Sequence, residues 1–257
     1  MCNNLSLLLF IQFQLYITIL AYPSLRHAIE DLPGDQLLRI EGAIDPNLEI
    51  GEIHRRVFHA GGPALFFEKV KGSPFVALSN LYGTKERTAY LFRHQLEGVQ
   101  RLIQLKADPS DLLRHPGKFL KTPFTAMHGL PLKARWNKPV LSGTTTLDQL
   151  PQVVSWPKDG GAFITLPQVM SLPPGDKRIM NSNIGMYRIQ ISGNDYIPNL
   201  EAGMHYQLHR GIGVHHTLYN QTRDEFKVTI FVGGPPSHAF AAIMPLPEGL
   251  SEVTFAG

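Results

Sequence analysis

NIGMYRIQIS, residues Asn183 to Ser192, is the stretch from which the fold class is read. Strand alternation over Gly185 to Ser192 puts Met186, Arg188 and Gln190 on one face and Tyr187, Ile189 and Ile191 on the other. Similar short candidates surround it: Ala162 to Val169 before, Met204 to His209 and Lys227 to Val232 after. Short strands punctuated by Gly and Pro predict a β-barrel or sandwich-like unit. Upstream the pattern changes. PALFFEKV (Pro63 to Val70) and PFVALS (Pro74 to Ser79) read as strands, separated from helices by Gly and Pro. Asp45-Pro46 reads as an N-cap followed by Pro at the first helical position, with Ile50, Ile53 and Val57 on the apolar face. Lys85 to Leu105 reads as one helix carrying Phe92, Leu96, Val99 and Ile103 on a stripe. Strands interleaved with helices predict a small α/β unit. The expectation is therefore an α+β chain. An α/β domain covers 22–121 and a β domain covers 122–257, with loosely patterned residues 107–152 around the boundary.

Composition narrows the function. The chain has 257 residues, 43% of them hydrophobic and 18% charged, with a formal net charge of +3. That apolar content supports a sizeable core and argues against disorder. The 24 Lys and Arg residues are scattered without a dense run, which excludes a phosphate-tracking stripe and nucleic-acid binding. Cys2 stands alone, so no intrachain disulfide framework, Cys-rich zinc site or iron–sulfur cluster is built. A reducing, cytoplasmic setting fits. Residues 1–21, MCNNLSLLLFIQFQLYITILA, carry no charge, and their apolar run is broken by Gln12 and Gln14. Without a basic n-region or about 20 uninterrupted apolar residues, they read as an extension ahead of a cytoplasmic protein. Contact with a membrane surface is the other reading.

The chemistry-bearing residues concentrate in the second half. An Arg188 among apolar strand neighbours calls for an anion or carboxylate, the alternative being an ordinary solvent-facing strand. In GMHYQLHRGIGVHH, Gly203 to His216, alternation groups His205, Gln207 and His209 against Met204, Tyr206 and Leu208. Two imidazoles and an amide suit a metal or a polar aromatic ligand. Arg210 and Gly211 open a turn whose backbone N–H groups suit a phosphate. His215 and His216 read as hydrogen-bonded surface residues. Glu248 falls in a Pro-Glu-Gly turn, and Glu252 lies beside Val253 and Phe255. A buried Glu252 needs a partner or a metal, because a lone buried charge is costly. Asn183, His209 and Glu252 would form a mixed oxygen and nitrogen set suited to Mn²⁺ or Mg²⁺.

SWPKDGGAFITLPQV (Ser155 to Val169), NIGMYR (Asn183 to Arg188), GMHYQLHRG (Gly203 to Gly211) and PLPEGLSEVTFAG (Pro245 to Gly257) together resemble the UbiD family of decarboxylases. HAGGPALFFEKVKG (His59 to Gly72) extends the resemblance towards the N-terminus. The resemblance implies an N-terminal α/β domain, a split β-barrel that binds flavin, and a C-terminal domain that mediates homo-oligomers. It implies decarboxylation of aromatic or related unsaturated acids with prenylated FMN, supplied by a flavin prenyltransferase. Asn183, His209 and Glu252 match metal ligands for manganese, with potassium as a second ion. Met186, Tyr187 and Arg188 match the first flavin-contacting segment, His205, Tyr206 and Gln207 the second, and Arg210 with Gly211 the third. Arg188 also matches the family's arginine that pairs with catalytic acids.

Two departures stand out. The hairpin from Gln190 to Ala202 is longer than usual for the family. The sequence stops at Gly257, and the family's acidic proton donor and arginine partner lie beyond the matching point. The readings weighed are therefore a UbiD-type carboxy-lyase or a fragment of one, and a truncated, non-catalytic flavin- and metal-binding module. For the first, a 4-hydroxy-3-polyprenylbenzoate of ubiquinone biosynthesis is the expected substrate, with a naphthoate of a menaquinone route next. A cupin-like or hydrolytic metal site is disfavoured, because His205 to His209 is not the His-x-His spacing of cupins.

Overall fold

The computed structural model describes residues 22–120, 122, 123, 127, 142–208, 211–222, 224–244, 246 and 251–256. Helix α1 (Leu25–Glu30) starts at Ser24, whose side chain accepts the His27 N–H, as a capping serine should. Strand β1 (Leu37–Ile44) runs parallel to β2 (Ala64–Val70), and helix α2 (Glu49–His59) makes the crossover between them. Strand β3 (Ala77–Ser79) pairs antiparallel to β2 and completes the sheet in the order β1-β2-β3. Ile50, Leu65, Phe67 and Val70 are buried together, with Ile53 and Val57 packed against them. This is the face that the i, i+3, i+7 spacing selects, and each such fully buried side chain contributes about 1.5–3 kcal/mol.

Three local expectations need correction. Helix α2 begins at Glu49 rather than at Pro46, because Leu48, at φ 69°, breaks the entry. The Asp45 carboxylate accepts the Asn47 N–H at 2.8 Å instead of capping the helix, and Glu49 reaches back to the Asp45 N–H at 2.7 Å. Strand β3 is half as long as PFVALS suggested, since Pro74 has no N–H to give and Phe75 and Val76 stay exposed. The helix expected over Lys85 to Leu105 is two helices, α3 (Lys85–Leu91) and α4 (Leu96–Ala107). Between them Phe92 packs into the core and meets the Phe240 ring at 4.9 Å. Arg93 turns back to Asp31 at 2.7 Å, to the Tyr22 hydroxyl at 2.7 Å and over the Tyr90 ring at 4.0 Å. These long-range partners outweigh the helical stripe, and Ile103 is left 59% exposed. Helix α5 (Asp111–Arg114) follows.

The second half holds two antiparallel sheets. Strands β4 (Phe163–Ile164), β5 (Gln168–Ser171), β6 (Asn183–Met186), β7 (Ile189–Gln190) and β8 (Gly203–Met204) precede helix α6 (Gly211–Thr222). Strand β9 (Val228–Phe231), helix α7 (Pro236–Ala241) and helix α8 (Glu252–Ala256) follow. The sheet orders are β4-β7-β8 and β6-β5-β9. Ala162, Val169, Ile189, Ile191 and Ile212 form the core that joins both sheets to α6.

Residues 153–156 tie the two halves together. Asn47 and Val154 form a parallel bridge, and Val153 joins the core under α2. Arg55 donates to the Ser155 carbonyl at 2.8 Å while its guanidinium lies 4.2 Å over the Trp156 ring. The α+β class read from the sequence is observed, with the helix-backed parallel pair first and the small antiparallel sheets second. The boundary expected at 121/122 adjoins residues outside the described set, and the extension over 1–21 lies wholly outside it. Among the described residues no helix is long and apolar enough to cross a membrane.

Candidate functional site

NIGMYRIQIS is not one strand. The chain leaves the β6-β5-β9 sheet after Met186 and enters the β4-β7-β8 sheet at Ile189, so Tyr187 and Arg188 lie at a corner between sheets. Gly185 permits this corner: a Cβ there would lie 2.3 Å from the Tyr187 hydroxyl, whose ring folds back over the strand. The shared face expected for Met186, Arg188 and Gln190 is therefore lost. Gln190 is buried, donating to Ser192 O at 3.1 Å and accepting from Asn194 at 3.0 Å. Arg188 is exposed, with its guanidinium 5.0 Å over the Phe163 ring and Nη2 3.3 Å from His205 Nδ1.

The strand expected over Met204 to His209 ends at Met204, because β7, its partner, is only two residues long. His205 and Gln207 are nevertheless exposed, and Tyr206 packs into the core, as alternation requires. Leu208 breaks that pattern at 74% exposure. The Tyr187 and Tyr206 rings meet edge to face at 6.3 Å. His209 and Arg210 lie outside the described residues, and so does Glu248.

A second group gathers at the start of β6. Asn183 pairs with Ser171 across the ladder, and its side chain meets the N-terminus of α6. A Cβ on Gly211 would fall 1.9 Å from Asn183 Oδ1, so only glycine admits the carboxamide there. Among the described residues Asn183 Nδ2 is buried without a partner. From α8, the half-buried Glu252 carboxylate accepts the Ile184 N–H at 3.1 Å. Burial raises the Glu252 pKa, and the backbone N–H groups only partly oppose this. His215, one turn beyond Gly211, holds its Nδ1 2.9 Å from the Ser171 hydroxyl. His215 and His216 are thus hydrogen-bonded, as expected, but half-buried against the sheet.

This donor set fits a hard cation. A carboxamide presents either oxygen or nitrogen by a half-turn, so the unpartnered end of Asn183 can offer an oxygen. Glu252 is a carboxylate whose charge burial disfavours until a cation compensates it. Among the described residues no group of three His, Cys, Asp or Glu side chains forms a cluster; Asn183 and Glu252 are a carboxamide and a carboxylate at the start of β6. The N-terminal N–H groups of the 12-residue α6 stand beside them, an arrangement that favours a phosphate.

Two family models match the chain. One, the 3-octaprenyl-4-hydroxybenzoate carboxy-lyase N-terminal domain of the UbiD family, covers residues 34–106. The other, the Rift-related domain of the same carboxy-lyase, covers residues 133–257 and so contains Asn183, Gly211 and Glu252. The chain belongs to the UbiD family. It is 37% identical over 239 residues to a 4-hydroxybenzoate decarboxylase subunit from Chlamydia pneumoniae, covering 86% of this chain and 37% of that protein. A Chlamydia trachomatis protein is 37% identical over 240 residues, covering 90% and 39% respectively.

The same UbiD fold is seen in solved structures. Vanillic acid decarboxylase of Sedimentibacter hydroxybenzoicus, in closed form, superposes with TM-score 0.68 at 22% identity over 92% of this chain and 48% of that one. An evolved dimeric form of the UbiD-class enzyme HmfF from Pelotomaculum thermopropionicum, in complex with prFMN, gives TM-score 0.67 at 21% identity over 91% and 50%. The chain spans about two fifths to a half of the length of the relatives it matches.

Sequence reasoning misses the contacts that order this UbiD site. The Ser171–His215 and Tyr206–His216 hydrogen bonds join residues far apart or on different elements, and no spacing rule announces them. Gly211, a turn residue by its sequence pattern, instead opens α6; the Gly-x-Gly at 211–213 is the available signal.

Burial lowers the pKa of His215 and of His238, and burial with the nearby Arg55 charge lowers that of His54. Below about pH 6.5 the unfolded chain then binds more protons than the folded one. Stability is complete above that pH and falls as the pH drops through the folded values. Urea unfolding should show a lower midpoint at about pH 5.5 than at about pH 7.5, and His238→Gln should narrow the gap. An unchanged midpoint would show that these imidazoles protonate freely in the folded chain.

Proposed function

We propose that this chain is the flavin- and metal-holding part of a decarboxylase of aromatic carboxylic acids. The observation that carries the reading is the convergence of Asn183, Glu252 and the N-terminus of α6 on the start of β6, where Asn183 and Ile184 lie five and four residues ahead of the exposed Arg188. The ligand is prenylated FMN, and the ion is manganese, with potassium as a second ion. Asn183, Glu252 and His209 would hold the metal, and Gly211 with Arg210 would receive the cofactor phosphate. Met186, Tyr187, Arg188, His205, Tyr206 and Gln207 line the flavin.

Removing CO₂ from an sp² carbon leaves an electron pair with nowhere to delocalise, and the bound flavin supplies that electron sink. The protein's own share is orientation. The exposed Arg188 guanidinium, held over Phe163 and beside His205, offers parallel N–H donors to a carboxylate. The substrate is a 4-hydroxy-3-polyprenylbenzoate of ubiquinone biosynthesis, or a naphthoate of a menaquinone route. The name 4-hydroxybenzoate decarboxylase, borne by a 37% identical relative, supports an aromatic acid. The whole protein works in the cytoplasm as a homo-oligomer, receives its cofactor from a flavin prenyltransferase, and meets membranes only peripherally.

FMN itself is the probe for the site. Titration followed by flavin fluorescence should show saturable binding that Mn²⁺ strengthens about tenfold, equivalent to about 1.4 kcal/mol, and that EDTA reverses. Binding insensitive to Mn²⁺ would remove the metal from the site. No binding would remove the flavin.

A further inference from the structure

Within the flavin-lining role proposed above, the segment 205–207 has few ties among the described residues, His205 meeting the Phe163 ring edge to face at 6.1 Å. Strand β8 ends at Met204, and beyond it, among the described residues, the backbone of 205–207 makes a single long 3.4 Å bond, from the His205 N–H to Arg188 O. The Arg188 to His205 side-chain contact is equally long at 3.3 Å and exposed. Tyr206 is different. Its hydroxyl hydrogen-bonds to His216 Nδ1 on α6, five residues after Gly211.

The His216 ring is itself clamped, lying flat on Phe226 at 5.0 Å with an interplanar angle of 6°. Phe226 is backed by Tyr219 at 5.0 Å. On the other side Tyr206 stands against Tyr187, whose ring covers Gly185. A continuous row of rings therefore runs from β6 through both flavin-lining segments to α6. Ring contacts of this kind tolerate sliding, whereas a hydrogen bond fixes distance and direction.

We infer that His216 is a positioning residue for the flavin, setting the 205–207 segment against α6 through Tyr206. It touches neither flavin nor metal. It governs the gap between the flavin-lining segments and the helix that receives the phosphate.

The experiment uses FMN with Mn²⁺ and the 257-residue chain, and compares Tyr206→Phe, His216→Phe and the double variant. Phe at 216 keeps a flat ring on Phe226 and removes only the nitrogen. Each single change should weaken FMN binding about tenfold and alter the visible circular dichroism of bound FMN. The double variant should be no weaker than either single one, because both remove the same bond. A purely structural tie would lower the melting temperature and leave the FMN affinity and its dichroism unchanged, which overturns the inference. Losses that multiply to about a hundredfold in the double variant overturn it as well. If His216→Phe fails to fold, Tyr206→Phe decides alone by the same two readouts. Wild-type chain that binds no FMN overturns the flavin reading beneath the inference, an outcome distinct from binding that the variants leave untouched.

Discussion

Arg87→Met should cost about 3–5 kcal/mol, enough to leave little of the roughly 5–15 kcal/mol on which a domain of this kind stands. Arg87 is 1% exposed, one of the most buried large side chains among the described residues. Its guanidinium donates to Leu81 O at 2.9 Å, to Asn80 O at 2.7 Å, and to Gly62 O and Gln36 Oε1 at 3.1 Å each. No carboxylate is among these partners, so the charge is stabilised by carbonyl dipoles alone. Burial depresses the Arg87 pKa, yet an arginine stays charged across any usable pH.

Replacing a buried ion pair by apolar residues is often harmless, because both polar partners leave together. Here three of the four partners are backbone carbonyls and cannot leave. Leu81 O loses its guanidinium donor outright, and Asn80 O and Gly62 O keep only the Gly83 N–H and Asn80 Nδ2; at about 1.5–3 kcal/mol for each bond to a charged donor, the loss outweighs the desolvation recovered by removing the charge. The loop these bonds fix is also the one in which Asn80, at φ 58°, donates to Gly62 O and to Pro63 O at 2.8 Å. Arg87→Lys should rescue only part of the loss, since one ammonium cannot reach all four acceptors. Urea unfolding followed by circular dichroism measures both. A Met variant within about 1 kcal/mol of wild type would show that water replaces the guanidinium.

Arg87 also shows which parts of the fold are legible. In the sequence it is one more charged residue on the helix expected over Lys85 to Leu105, and periodicity gives no reason to bury it. Strand β2 can be read because Ala64 to Phe67 make a continuous apolar run just after Gly62-Pro63, with Val70 and Gly72 closing it. The face of α2 can be read because Ile50, Ile53 and Val57 obey a local period. The break between α3 and α4 cannot, because it is made by Asp31, Tyr22 and Phe240, remote in sequence from Phe92 and Arg93. The site divides along the same line. The motifs point to Asn183 and Glu252, but a strand start and a helix start 69 residues apart meet only once β6 and α8 are packed. Arg188 is legible as an unusual cation and misleads as a strand residue. Period-two patterning does not register a corner between sheets.

Gly211→Ala should separate the site from the fold. The added Cβ would overlap Asn183 Oδ1 at 1.9 Å and Cγ at 2.7 Å, while its next contact, Asn183 Cβ, is an ordinary 3.4 Å. The collision is therefore with the tip of a side chain, and rotating Asn183 away relieves it at little cost to α6. Alanine is also the better helix former, by about 1 kcal/mol, so stability should change by less than that in either direction. Function should not be so lenient. A rotated carboxamide withdraws one of the two described donors for the cation, and the methyl group stands where the phosphate would approach the helix N-terminus. A metal ligand and one charge-assisted phosphate contact are together worth about 3 kcal/mol, which predicts a loss of about a hundredfold in Mn²⁺-dependent FMN affinity. Calorimetric titration of Mn²⁺ and FMN, run beside thermal melts of the same samples, tests both halves. An unchanged melt with binding lost assigns the glycine to the site. Binding retained with an unchanged melt would show that Asn183 and Gly211 do not share a ligand, and the cation would then have to be sought away from the start of β6.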